Sequence, residues 1–179
     1  MRFPFFFVLN FYILYGIKKK SKDPKLMNIS SEPDKEGDWV YDYFSKEICI
    51  KRWNNGVSLY YLLNDQAQPC SFVWSRIGRI HYAGEINKNL VFQEDVNCFI
   101  DAITPTEHRG KGYYSYLMRA VADELSEYTS IAYAYRSNFI SNKGLKRSGF
   151  IQTHILYCFF KFIKILPIKK QRIKFHVQS

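Results

Sequence analysis

The residues best placed to do chemistry lie between Thr104 and Tyr116, TPTEHRGKGYYSY, where a basic, glycine-punctuated turn follows an apolar stretch and opens into an amphipathic one. Gly110 and Gly112 carry no side chains, so the backbone can curl there and aim several N–H groups at one anion. The positive end of the following helix, with Arg109 and Lys111, supplies charge of the sign a phosphate needs. The plain alternative is a strand-to-helix connection with an exposed Arg-Gly-Lys, and a bare G-x-G does not separate the two.

The elements that must position this turn give it a context. Asn97 to Ile103 reads as a buried strand. Tyr116, Leu117, Ala120, Val121 and Leu125 recur at helical spacing, with Arg119, Asp123, Glu124 and Glu127 largely off that stripe. A second strand, Ser130 to Tyr135, leads to Arg136-Ser137-Asn138, a short helix to about Ser148, and the pair Gly149-Phe150.

Strand, anion turn, helix, strand, Asn, helix and Gly-Phe in this order resemble two adjacent motifs of the GNAT superfamily of acyl-CoA-dependent N-acetyltransferases. The family turn R/Q-x-x-G-x-G/A is matched by Arg109 to Tyr114 through Gly112, and Asn138 stands eleven residues before Gly149 as in the family's later signature. The resemblance covers roughly Val96 to Phe150. It implies an α/β (α+β) fold with a mixed, mostly antiparallel central sheet flanked by helices. It also implies transfer of an acetyl or short acyl group from acetyl-CoA to a primary amine, by direct attack in a ternary complex and without a metal. On the matching positions, backbone N–H groups of Arg109, Gly110, Lys111, Gly112 and Tyr113 would hold the pyrophosphate. Main-chain groups at Ile103 and Thr104 would meet the pantetheine arm, with Asn138 on its other side.

Two positions depart from the family. Tyr114 stands where Gly or Ala is usual, a crowding familiar in a subgroup associated with surface-polysaccharide synthesis; that resemblance implies an amino sugar linked to a nucleotide or lipid as acceptor, with a protein N-terminus, a lysine or a polyamine also open. Leu145 stands where many members place a Tyr that protonates the leaving thiolate. The general acid is therefore unassigned, with Tyr113, Tyr114 and Tyr133 as candidates among fourteen tyrosines. For the base, Asp101 and Glu107 lie beside the turn, and His81 and Glu85 sit on an upstream segment able to line an acceptor cleft. Each also has a plain reading: Asp101 can cap or pair, Glu107 can be solvated beside Arg109, and His81 can be structural.

Composition frames these readings. The chain has 179 residues, 47% hydrophobic and 18% aromatic, enough for one core of substantial size. Cys49, Cys70, Cys98 and Cys158 are widely spaced, lack zinc-type pairing, and read as reduced, buried residues. The net charge of +10 resides in the ends: residues 1–25 hold six Lys or Arg against one Asp, and residues 161–179 hold six against none. The interval between them is close to neutral, so no basic face for a nucleic acid is expected.

Phe3 to Ile17 is apolar apart from Asn10 and ends at Lys18-Lys19-Lys20. Three readings stand open for it: a membrane-dipping anchor, a first helix packed on the domain, or a marginal signal anchor. Each places a catalytic body in the cytoplasm, with an anionic membrane surface as a partner of the basic ends. The expected organisation is an apolar and basic segment over 1–25, a linker over 26–38 and an acyltransferase domain over 39–179. Trp39 to Ile50 reads as a helix passing into a strand, Ser58 to Leu63 and Cys70 to Ile77 as strands, Ile151 to Phe159 as a long strand, and a last strand is expected after Pro167. The competing functional reading is a degenerate module that binds CoA without turnover, or a membrane-associated interaction module.

Overall fold

The computed structural model describes residues 6–14, 25–29, 35–159, 162–168 and 173–178. Nine strands form one sheet: β1 (Phe6–Leu14), β2 (Lys25–Ile29), β3 (Val57–Leu63), β4 (Pro69–Ala83), β5 (Lys88–Ile103), β6 (Thr129–Tyr135), β7 (Ile151–Phe159), β8 (Phe162–Pro167) and β9 (Phe175–Gln178). Three α-helices accompany them, α1 (Lys46–Asn54), α2 (Tyr113–Glu124) and α3 (Phe139–Arg147), with 3-10 turns at Lys35–Asp42 and Thr106–His108. The strand order is β2-β3-β4-β5-β6-β1-β7-β8, with β9 added to the far half of β5. Among the pairings, β5 with β6 is parallel and the others are antiparallel.

Alternation along the strands sorts the core onto the two faces. Tyr60, Leu62, Phe99, Ala132 and Tyr12 pack against Leu117, Met118 and Val121 of α2 and Leu145 of α3. On the other face Leu59, Phe72 and Trp74 pack under α1, where Trp53 tilts against Trp74. Further along that face Phe11, Phe92, Cys98, Ile131 and Leu156 form a third cluster. Period-two alternation with both faces covered is what a central sheet layer requires.

The main correction concerns the N-terminus. Phe6–Leu14 is neither a membrane anchor nor a packed helix but the strand between β6 and β7, with Leu9 opposite both Tyr135 and Leu156. Leu9, Phe11, Tyr12 and Ile13 are buried, so these side chains are withdrawn from any lipid surface. A strand covered on both faces reads as an unbroken apolar run, and such a run has no period to separate it from a helix. Among the described residues, no helix is long and apolar enough to cross a membrane. The linker expected over 26–38 also gives way in part, because Lys25–Ile29 pairs with Leu59–Leu63 as an edge strand. The basic clusters at Lys18 to Lys20 and Lys169 to Arg172 lie outside the described residues.

Upstream of the turn, Trp39 to Ile50 does not pass into a strand; its second half is the start of α1, capped by the Ser45 hydroxyl on the Ile48 N–H. The expected strand after Pro167 is β9. A further strand, β8, forms a hairpin with β7, pairing Phe159 with Phe162.

Candidate functional site

The site is built where two neighbouring strands part. β5 and β6 pair through Val96–Thr129, Asn97–Ser130 and Cys98–Ile131, and beyond that point they carry no ladder to each other. The neck is pinned by side chains: Ser75 donates to Asn97 Oδ1, and Asn97 Nδ2 donates to Ser130 Oγ at 3.0 Å. Past the neck each strand stays fixed on its outer side, β5 to β4 and β6 to β1. The result is a wedge whose edges carry unshared backbone groups, opening toward the C-terminal ends of two parallel strands. Ligands of α/β sheets settle at such points.

The anion turn sits at the end of one edge. Thr106–His108 forms a 3-10 turn in which the Arg109 N–H is already spent on Thr106 O at 3.2 Å. Gly110 and Gly112 are left-handed, with φ 79° and 85°, a conformation that favours glycine. Gly112 is the N-cap of α2, which has no side-chain cap and no acidic residue in its first turn. The N–H groups from Gly110 to Ser115 have no backbone acceptor among the described residues, whereas that of Tyr116 bonds Gly112 O. The donors therefore run from Gly110 into α2 and omit Arg109. The side chain of Arg109 folds back, its Nε donating to Thr104 O at 3.1 Å, which closes the turn. Lys111 is exposed beside it.

The carbonyls expected to meet a pantetheine arm are partly occupied. Ile103 O accepts from the Ser71 hydroxyl at 3.3 Å, and Ser71 Oγ also meets Thr104 Oγ1 at 2.9 Å. Asn138, at the end of the other edge, caps α3: its Oδ1 accepts from the Ser141 N–H at 3.1 Å. This leaves its Nδ2 without a partner among the described residues. The corner holding Asn138 is fixed by Asn142, whose Nδ2 donates to Tyr135 O at 2.8 Å and to Asn138 O at 2.6 Å. Asn142 Oδ1 in turn accepts from Asn10 Nδ2 at 2.9 Å and Tyr12 Oη at 2.6 Å, both from β1. The N-terminal strand thus reaches the site through this buried network. Asn142 was not among the sequence candidates; its signal is a polar residue on the buried stripe of α3, beside Leu145.

The catalytic candidates separate. Tyr114 packs its ring on Gly144 of α3, and burial pushes its hydroxyl pKa far up. Tyr113 stands at the first position of α2, edge-on to His108. Glu107 is exposed on the 3-10 turn. His81 is 2% exposed, with Nε2 on Gly78 O at 2.8 Å and its ring edge-on to Phe92, and burial lowers its pKa. It is a core residue, not a cleft residue. Leu145 is likewise closed into the core between α2 and the sheet.

Asp101 is paired with Arg52 instead. Two residues of β5, Asp101 and Ala102, face one of β4, Val73, and Asp101 takes φ 45°. Such a bulge re-aims a side chain. Phe99 and Ala102 pack toward α2, Ile100 and Ile103 toward α1, and Asp101 reaches Arg52 of α1, with which it forms an ion pair. Arg52 is itself held between the rings of Phe44 and Trp74, 4.8 and 4.9 Å from their centroids. The β4–β5 hairpin turns at Gly84 to Asn87 and carries the half-buried Glu85, on whose carboxyl Asp101 and the Tyr133 hydroxyl of β6 both act. Burial first, and then the Asp101 carboxylate, raise the Glu85 pKa. Burial also holds Tyr133 well above the usual tyrosine range. Tyr133 packs in the cluster on the face opposite α2. Among the described residues, no cluster of three or more His, Cys, Asp or Glu is arranged to hold a metal ion.

Comparison with known proteins rests on this geometry, because no family model matches the sequence and no curated protein matches it significantly. Solved structures do match. One is described as an acetyltransferase of the GNAT family from Novosphingobium aromaticivorans, with TM-score 0.59, 14% identity, and coverage of 85% of this chain and 62% of that one. The fold is that of the GNAT acetyltransferases. A GNAT-family acetyltransferase from Colwellia psychrerythraea has TM-score 0.51 at 14% identity, covering 86% of this chain and 57% of that one. A conserved protein of unknown function from Staphylococcus epidermidis has TM-score 0.57 at 13% identity, covering 85% and 60%. The chain therefore spans about three fifths of the length of each of these structures.

Proposed function

We propose that this chain is an acyl-CoA-dependent N-acyltransferase that moves an acetyl or short acyl group to a primary amine in a ternary complex. The observation that carries the reading is the parting of β5 and β6 with an uncapped, glycine-built anion turn at the end of one edge and Asn138 at the end of the other. Phosphates at Gly110 to Ser115 would leave the pantetheine arm to run along the wedge, completing the ladder that the two strands do not make with each other. The thioester would then lie near the neck, and the far face would receive the acceptor. Holding two reactants in this way supplies much of the rate without any covalent intermediate. The narrower acceptor, an amino sugar of a surface-polysaccharide precursor, rests on the subgroup resemblance around Arg109 to Tyr114.

Calorimetric titration with acetyl-CoA tests the reading. Saturable one-to-one binding is expected, and no heat up to millimolar ligand would remove its basis. A second reading, a module that binds CoA without turnover, is favoured by Leu145 being core at the usual acid position. Thiol release in the presence of amines separates it from the first.

A further inference from the structure

We propose that the face formed by α3 and the β7–β8 hairpin docks on an anionic lipid surface. The near-neutral interval between the two basic ends of the chain is divided by the fold. Residues 128–179 carry ten Lys or Arg and no Asp or Glu, so the whole net charge of +10 is theirs, and residues 1–127 balance at sixteen of each sign. That acid-free stretch holds β6, α3, β7 and β8, which lie together with β1 at one side of the sheet. In α3, Phe139 and Ile140 are 78% and 86% exposed, and Lys143, Lys146 and Arg147 follow them on the solvent side, while Asn142 and Leu145 face the core. Spacings of three and four residues set these apolar and basic side chains on one stripe.

The hairpin continues the stripe. Asn10 pairs with Ile155 and donates to Asn142 of α3, so Ile155, Tyr157 and Phe159, with Leu166, Lys164 and Phe162 opposite them, lie on the side of the sheet that α3 covers. The helix packs over β6 and β7, and β8, the last strand of the order, extends past it with Phe162 78% exposed and Lys164 and Leu166 exposed as well. Leu9 is opposite both Tyr135 and Leu156, so Phe159 and its partner Phe162 lie beyond that row, at the end where β6 runs into Asn138 and Phe139. Exposed Phe and Ile interleaved with Lys and Arg suit the boundary between headgroups and acyl chains, where the apolar groups leave water and the cations meet phosphate. A second copy of this chain, docked isologously, would press two acid-free faces together against like charge. Ile140 and Leu166 offer no ring on which a nucleic-acid base could stack. β5 and β6 part at this same end, so docking would bring the mouth of the wedge to the lipid without an inserted N-terminal segment.

Co-sedimentation of the full chain with vesicles tests the proposal. Vesicles of phosphatidylcholine with about 30% phosphatidylserine should bind it at least about tenfold more tightly than vesicles of phosphatidylcholine alone, and raising the salt from about 0.1 M to about 0.5 M should release it. Two exposed pairs are changed separately, so that neither disturbs the core: Phe139→Ser with Phe162→Ser, and Lys143→Gln with Lys164→Gln. Each basic residue near such a surface strengthens binding about fivefold, so the second pair should lose about 25-fold. The first pair should lose at least about tenfold through the apolar area it no longer buries. Arg79→Gln, which removes a basic residue of β4 that faces Asp95, should bind as the parent does. No binding to the phosphatidylserine vesicles, equal binding to both compositions, or undiminished binding in either pair overturns the proposal. So does self-association in sedimentation velocity that either pair abolishes, which would give the face to a second copy, or tighter binding of a single-stranded oligonucleotide lost in the same pairs, which would give it to a nucleic acid.

Discussion

The Tyr114 ring lies directly on Gly144: a Cβ at Gly144 would stand 2.6 Å from both Cδ1 and Cε1 of Tyr114. The large residue in the anion turn's helix is thus accommodated by a missing side chain on α3. Ser115 reinforces the contact, its hydroxyl donating to Gly144 O at 3.1 Å. A helix-interior Gly ordinarily costs about 1 kcal/mol relative to Ala, so Gly144→Ala would stabilise an unencumbered helix. Here overpacking should dominate, with a loss of about 1–3 kcal/mol. In a Tyr114→Ala background the same change should become neutral or stabilising. Urea midpoints of the four proteins give the coupling, and additive effects would show that the contact is not what sets the glycine.

Gly112→Glu places a carboxylate at the uncapped end of α2 and should weaken acetyl-CoA binding at least tenfold, about 1.4 kcal/mol. Because Gly112 is at φ 85°, any side chain there also strains the backbone, although a Cβ meets nothing within 4 Å. Gly112→Asn, which tolerates the left-handed region, is the control and should bind more tightly than Gly112→Glu. Equal affinities of the two variants by calorimetry would argue against an anion site.

Transfer should need no acyl-cysteine. Cys49, Cys70, Cys98 and Cys158 are all buried free thiols. Burial raises each pKa, Cys98 to about 12 and Cys158 to about 11, so the thiolate is scarce at neutral pH. Single Cys→Ala variants that fold should turn over normally. A burst of CoA release without acceptor, lost in one of them, would refute the direct route.

The first strand should be indispensable to both fold and site. A chain beginning at Leu26 lacks β1, leaving β6 and β7 without their shared partner, and should fail to give a cooperative unfolding transition. Tyr12→Phe removes one hydrogen bond to Asn142 and should cost about 0.5–1.5 kcal/mol, with weaker acetyl-CoA binding through the Asn138 corner. Recovery of a folded, acetyl-CoA-binding protein without residues 1–25 would contradict the position of this strand.

Acid should destabilise the fold partly through His81. Its folded pKa is lowered by burial, so below an unfolded value of about 6.5 the unfolded chain binds the extra proton, and stability falls as pH drops from 7 toward 5. Burial of His154 acts in the same direction. Glu85, with its raised pKa, acts oppositely above an unfolded value near 4.5. The difference between parent and His81→Gln isolates the first contribution: the parent should lose more stability than the variant over that interval, and parallel pH curves would reject it.

The sequence by itself determined the local parts. The glycines of the turn, the stripe of α2, the strand of β6 and the alternation of β7 follow from interactions within a few residues, which spacing records directly. Only the tertiary structure decided where Phe6–Leu14 goes, because its apolar run serves a strand covered on both faces as well as a helix, and its partners at Ser130–Tyr135 and Ile151–Phe159 are more than a hundred residues away. The same holds for the far side of the wedge. Asp101 is turned by a bulge and Arg52 comes from α1, so their ion pair exists only when two distant segments are packed together. Tyr114 and Gly144 illustrate the physical reason: each is unremarkable in its own segment, and the van der Waals contact that explains both forms only between two helices on one face.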